Sequence, residues 1–234
     1  MPYELLAGVV PCPGGWLVAS GKLVGVNLFP QAPQVVSRLR EVLDAVPEYT
    51  VIALAAPVGL PDWPSRGGRA CDREARRLLG WPRSGAVRSA PCRLVVDTRS
   101  RLSAVANNGG RLDVVTMRLL PRIKEVASEI QSHRQRTVYE AHPALSFFQL
   151  NGDKPLTTAK RTVDGIAERR RLLIKRMPGL EAFLDTRVAG SSAWQLLDAA
   201  AVLWTARRIA ARAVNRVPEQ PEWNGEGLRM EIIR

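Results

Sequence analysis

From Thr50 to Ala55 the chain reads TVIALA, a run without a single charge or turn-forming residue. A strand that apolar has no face to offer to water. It must lie in a sheet covered on both sides, the usual situation of strands in α/β folds. The remaining segments agree with that reading. Tyr3–Val10, Trp16–Ala19 and Leu23–Phe29 are short apolar runs separated by Pro11-Cys12-Pro13-Gly14-Gly15 and by Gly21-Lys22, so they predict a three-strand meander. Thr137–His142 (TVYEAH) predicts another strand.

Helical periodicity appears between these strands. Gln34–Ala45 places Val35, Val36, Leu39, Val42 and Leu43 on one face. Cys71–Leu79 reads as a short helix ended by Gly80, and Leu112–Ser132 as a helix kinked or split by Pro121. Pro143 opens a further helix, Thr162–Met177 forms a charged one, and Ser192-Ala193-Trp194-Gln195 has capping-box spacing ahead of a helix running to about Val217. Leu228–Ile233 predicts a short strand near the C-terminus, and Leu94–Val96 another in the middle of the chain. The expected fold is α/β, a mixed sheet with helices on both faces. It forms a single domain over residues 1–234, with Pro57–Ala70 as a long loop and an irregular insertion at about 83–110.

Charge bears on function more than on fold. The chain has 34 Lys and Arg against 22 Asp and Glu, for a net charge of +12, and arginine dominates. Arginine forks match phosphate oxygens, so a nucleic acid or nucleotide partner is one expectation. Solvated surface charge is the plain alternative. No stretch approaches the roughly 18 apolar residues that a membrane span needs. Met1-Pro2-Tyr3-Glu4 lacks the basic start of a secretion signal. A cytoplasmic protein with no membrane partner is expected. Cys12, Cys71 and Cys92 show no metal-ligand spacing, and only His133 and His142 could join them.

Several residues stand out as candidates for chemistry. Glu140 and His142 share a face at the C-terminal end of a strand, where α/β folds place functional side chains. Asp198 lies inside the apolar helical stretch Leu196–Ala200, so it needs a partner if buried. Lys160, Asp72, Arg73 and Arg76 stand near predicted element starts. Arg169 belongs to an Arg169-Arg170-Arg171 cluster. Arg208, Arg212 and Arg216 would form one basic stripe at helical spacing. Pro13-Gly14-Gly15 lacks the spacing of a phosphate-binding fingerprint and reads as a tight hairpin turn.

Seven segments in order carry a resemblance. They are Gly8-Val9…Cys12-Pro13-Gly14-Gly15-Trp16, Pro57-Val58-Gly59-Leu60-Pro61, Cys71-Asp72-Arg73-Glu74-Ala75-Arg76, Glu140-Ala141-His142-Pro143…Ser146-Phe147, Lys160…Gly165…Glu168-Arg169, Leu197-Asp198-Ala199…Trp204-Thr205-Ala206-Arg207-Arg208 and Gly227-Leu228…Met230-Glu231-Ile232. Over nearly its whole length the chain resembles the bacterial family of predicted RNase H-like nucleases. The resemblance implies an RNase H-like fold and a cluster of carboxylates holding one or two divalent ions. The chain departs from that pattern where acids are expected. Val10, Ala55, Ala144, Trp194-Gln195 and Asn224 stand in their places. Glu140 and Asp198 remain, enough for one weakly held Mg²⁺ or Mn²⁺ at best.

Three functional expectations follow. The first is an RNase H-like protein without metal-dependent nuclease activity, binding nucleic acid or a protein through arginine surfaces such as Arg73, Arg76, Arg169, Arg208 and Arg212. The second is a hydrolase or phosphate-ester enzyme with a rearranged site around Glu140, His142, Asp198, Lys160 and Asp72, with Glu or His as general base and Lys or Arg binding a phosphate. The third is a subunit of an assembly, with a protein partner or a second copy docking on Trp63, Trp81 and Trp223 if these are exposed.

Overall fold

A computed structural model describes residues 3–234. The chain enters as a hairpin. Strand β1 (Glu4–Cys12) turns through Pro13-Gly14 into β2 (Gly15–Val24), with Cys12 opposite Gly15 and Glu4 opposite Leu23. The second turn falls at Gly25-Val26 and leads into β3 (Asn27–Pro30). The expected turn at Gly21-Lys22 is therefore in error. Gly21 sits inside β2, where a side chain would meet Leu28 at 2.9 Å. Its glycine serves close cross-strand packing rather than a reversal.

The helix expected over Gln34–Ala45 is replaced by strand β4 (Gln34–Val36), paired antiparallel with Trp16–Val18 of β2, and by the single-turn helix α1 (Arg40–Leu43). The β-branched Val35 and Val36 find an open strand edge, and pairing there outweighs helical periodicity. Strand β5 (Val51–Leu54) follows and pairs parallel with β1, Leu6 opposite Val51.

After the loop comes α2 (Ala70–Leu79), ended by Gly80 as expected. The 83–110 segment contains two 3₁₀ turns and helix α3 (Arg101–Asn107), and the strand expected at Leu94–Val96 is one of those turns, with Val95 buried. Helix α4 (Val114–Glu129) runs unbroken through Pro121, which is exposed and removes one backbone donor without dividing the helix. Strand β6 (Val138–Glu140) pairs parallel with β5.

The remaining elements are α5 (Pro143–Leu150), α6 (Val163–Arg176), the short α7 (Glu181–Leu184), α8 (Ala193–Ala210), β7 (Arg216–Trp223) and β8 (Arg229–Ile233). Helix α8 stops well before Val217. The chain reverses at Arg212, with φ of 54°, and enters β7. The basic stripe of Arg208, Arg212 and Arg216 consequently does not form. Strand β7 carries Pro218 and Pro221 and is bulged against β8 between Val217 and Glu222, which masks its pattern in the sequence.

The main sheet has the order β3-β2-β1-β5-β6, a meander followed by two parallel strands, and β4 pairs with β2 beside β3. Alternation along β1 sends Leu6 and Val10 into one core with α5, α6 and α8, and Ala7 and Val9 into another with α1 and α4. The sheet is thus covered on both faces, as the TVIALA run requires. Helix α8 lies directly on β1, because Gly8 has no side chain. A Cβ there would meet the Leu203 backbone nitrogen at 2.2 Å and the Ala199 carbonyl at 2.4 Å. Among the described residues no helix is long and apolar enough to cross a membrane.

Candidate functional site: a cationic cleft at the strand ends

The carboxyl ends of the parallel strands β1, β5 and β6 open into one cavity of about 620 Å³. Clefts outside the carboxyl ends of α/β strands are where such folds bind ligands. Val10-Pro11, Ala55-Ala56-Pro57 and Glu140-Ala141-His142 come from those ends. Helix α8 contributes Trp194, Gln195 and Asp198, and α4 contributes Arg118, Leu119 and Arg122. Residues 83–90, in the segment that reads as an irregular insertion, form another wall and bring Arg83 and Arg88.

Arg69 dominates the inner side. It is buried, and each of its five N–H donors is used. Two reach Glu140, at 2.7 and 2.6 Å. Two reach Asp72, at 2.8 and 3.3 Å. One reaches the Gly59 carbonyl at 2.9 Å. Glu140 also accepts from the Val58 amide at 2.8 Å, and Asp72 from the amides of Arg69 and Ala90 at 3.0 and 2.9 Å. Burial works against the Arg69 charge, but Asp72 and Glu140 outweigh it and hold the guanidinium pKa well above its ordinary value. Burial also pushes Asp72 upward, and the ion pair with Arg69 overrides it, leaving this carboxyl below its ordinary range. Burial prevails at Glu140, which lies above its ordinary range despite Arg69. The cluster ties the loop after β5, the start of α2, Ala90 and β6 into one unit. The sequence signal for Arg69 is its position just before α2, with Asp72 three residues on reaching back to the Arg69 amide, a capping arrangement.

At the other side Lys160 Nζ donates to Asp198 Oδ2 at 2.7 Å. Asp198 is buried on α8, and desolvation raises its pKa against the pull of Lys160 and Arg169. Lys160 and Arg161 lie over the Trp194 ring, 4.2 and 4.9 Å from its centre. Arg169 is buried, donates to the Gly165 carbonyl at 2.9 Å and lies over the Phe147 ring at 5.4 Å. His142 caps α5: its Nδ1 accepts from the Ala144 amide at 3.2 Å. Burial and the nearby Lys160 charge depress its pKa to about 4, so the ring is neutral at pH 7.

The candidates therefore divide. Glu140, Asp72, His142, Lys160, Asp198 and Arg169 all line the cleft. Each of these is engaged by a structural partner. Arg73 and Arg76 instead hold the Gly67-Gly68 turn by its carbonyls. Arg208 lies over Trp204 at 4.9 Å, away from the cleft, and Arg212 is exposed in the turn after α8. Trp63, Trp81 and Trp223 are 72%, 91% and 62% exposed.

Charge in the cleft is lopsided. Eight Arg or Lys line it against three Asp or Glu, a surplus of five positive charges. Arg69 and Lys160 take up the three acids. Arg88, Arg118 and Arg161 form no ion pair among the described residues, and they come from three separate segments around the opening.

Five of the six positions at which the resemblance implies acids converge here. Val10, Ala55, Ala144, Trp194 and Gln195 all line the cavity. Asn224 lies apart, buried and donating to the Leu60 carbonyl at 3.0 Å. Such side chains do not fit a two-metal centre. Valine and alanine offer no oxygen, and a divalent ion at Glu140 would have to displace a paired guanidinium. Among the described residues no three His, Cys, Asp or Glu side chains are grouped to hold a metal ion.

Comparison with curated proteins and with solved structures finds no match to this chain. Residues 8–223 match a family model described as a protein of unknown function, DUF429. With that match spanning most of its length, the chain belongs to the DUF429 family.

Proposed function

We propose that this chain is a cytoplasmic RNase H-like protein whose cleft binds the phosphate backbone of nucleic acid without metal-dependent hydrolysis. One observation carries the reading. The fold gathers into a single cleft five of the six positions where acids are expected, and the side chains there carry no carboxylate and sit within a surplus of positive charge. Phosphate is the anion best matched by several arginine forks converging from different segments. Hydrolysis by paired metal ions needs clustered free carboxylates, and both remaining acids at the expected positions are neutralised in place, Glu140 by Arg69 and Asp198 by Lys160.

A gel experiment tests this directly. Purified protein is mixed with labelled single- and double-stranded DNA and RNA, with and without Mn²⁺, and scored for shift and for cleavage. The expected outcome is a shift that weakens steeply with salt, because bound cations release counterions, and no cleavage. Mn²⁺-dependent cleavage that disappears in Asp198→Asn would overturn the proposal and make the cleft a working hydrolase site. Absence of both shift and cleavage would also overturn it, in favour of a protein partner or a second copy docking on surfaces such as the exposed Trp63 and Trp223.

A further inference from the structure

We infer that the cleft takes a single unpaired nucleotide of a strand, its base against the apolar interior and its phosphate on the cationic rim. The inference rests on the nucleic-acid reading above and narrows it. A groove that only tracked phosphates would need cations and nothing else. This one has an interior of Val10, Ala55, Ala56, Leu119 and Phe147, with Val115 from α4 beside them. An apolar hollow of about 620 Å³ is the size that encloses one compact organic ligand, within the usual ~300–1,000 Å³ of small-molecule sites. Two absences of side-chain bulk make the room, since Ala55 and Ala56 follow β5 directly where larger residues would fill it.

The body of the ligand must therefore be apolar and its edge anionic. A nucleotide combines both. In a duplex the bases are stacked and paired inside, with no face to lay against such a wall, and only an unpaired or extruded base can enter. The rim meets the other half of the requirement. Arg88, Arg118 and Arg161 reach the opening from three segments, and none of them forms an ion pair among the described residues. Trp194, beneath Lys160 and Arg161, sets an aromatic wall beside two cations, the pairing that single-stranded nucleic acid exploits.

The test is fluorescence anisotropy on the full chain with three labelled probes of about ten nucleotides, within the span contacted by single-strand binders. They are a thymidine strand, an abasic strand of equal charge and a blunt duplex. The expected result is about tenfold tighter binding of the thymidine strand than of the abasic one, the effect of roughly one stacked base. The duplex binds no tighter than the abasic strand. Ala55→Leu, which fills the interior, and Trp194→Ala each bring the thymidine strand toward the abasic value. Their thermal transitions are recorded alongside, so that a variant that does not fold leaves the other to decide. Equal affinity for thymidine and abasic strands would overturn this inference while leaving nucleic-acid binding intact. Failure to bind any probe would overturn both. Thymidine monophosphate added as competitor separates the two sources of a nucleotide: displacement below the strand's own dissociation constant would overturn the strand in favour of a free nucleotide, and displacement only well above it is expected.

Discussion

Arg69 and Lys160 both neutralise carboxylates beside the same cleft, yet they sit in opposite surroundings. The Arg69 side chain is 1% exposed, grips two acids and uses all its donors, whereas the Lys160 side chain is 42% exposed and meets one acid through one contact. A sealed ion pair is expensive to break, because a buried charge is left without a partner. A pair with one half-exposed partner is screened by water on that side and costs less to break. The first region is therefore architecture. The second can respond to a ligand.

Replacing the cation on each side gives the largest contrast. Arg69→Met leaves Asp72 and Glu140 facing each other in the interior, and the expected loss is about 3–5 kcal/mol in urea unfolding, enough to unfold a marginal domain. Lys160→Met should cost less, about 1–3 kcal/mol, because solvent screens the lysine while the buried Asp198 carboxyl loses its partner. Similar losses in the two variants would erase the distinction between a structural and a responsive side.

This contrast also shows what was legible in the amino-acid sequence. Glu140 and His142 stand out because they end a strand, Asp198 because it interrupts an apolar run and Lys160 because it stands near a predicted element start, and all four line the cleft. Arg69 did not, because it lies in the Pro-, Gly- and Arg-rich stretch after Pro57 and resembles the surface arginines around it. Only the fold encloses it. The surface arginines failed for the converse reason. Arg73 and Arg76 were candidate phosphate ligands by charge, and they hold turn carbonyls instead. Strands buried on both faces read clearly, as β5 did. Strands made by pairing with a distant edge did not: β4 looked helical, and β7 was hidden by its prolines.

An intermediate effect comes from pH, at the boundary between the two regions. His142 has a folded pKa of about 4, below the ordinary value of 6.5. Between those values the unfolded chain binds a proton that the folded chain does not, so stability is lost as pH falls from about 6.5 to about 4. The ring keeps some solvent contact, which holds the expected loss to about 2 kcal/mol rather than the full linkage value. His142→Asn retains a side chain able to cap α5 and should flatten the stability profile over this window, measured by urea unfolding at a series of pH values. A profile unchanged by that substitution would assign the acid sensitivity to another group.

The smallest effect is on binding, and it separates the two acids most sharply. Asp198→Asn removes the charge that occupies Lys160, adding one available cation to the cleft. Affinity for a single strand should rise a few-fold, and the slope of log affinity against log salt should steepen by about 0.7, the increment for one further phosphate contact. Glu140→Gln should do neither, because Arg69 remains enclosed and paired with Asp72. Its expected effect is a stability loss of about 1–3 kcal/mol from a weakened buried hydrogen-bond set. The sign at Asp198 is the informative quantity. In a metal-dependent nuclease the same substitution removes a ligand and weakens function, whereas in a cationic cleft it removes the competitor of the phosphate and strengthens it.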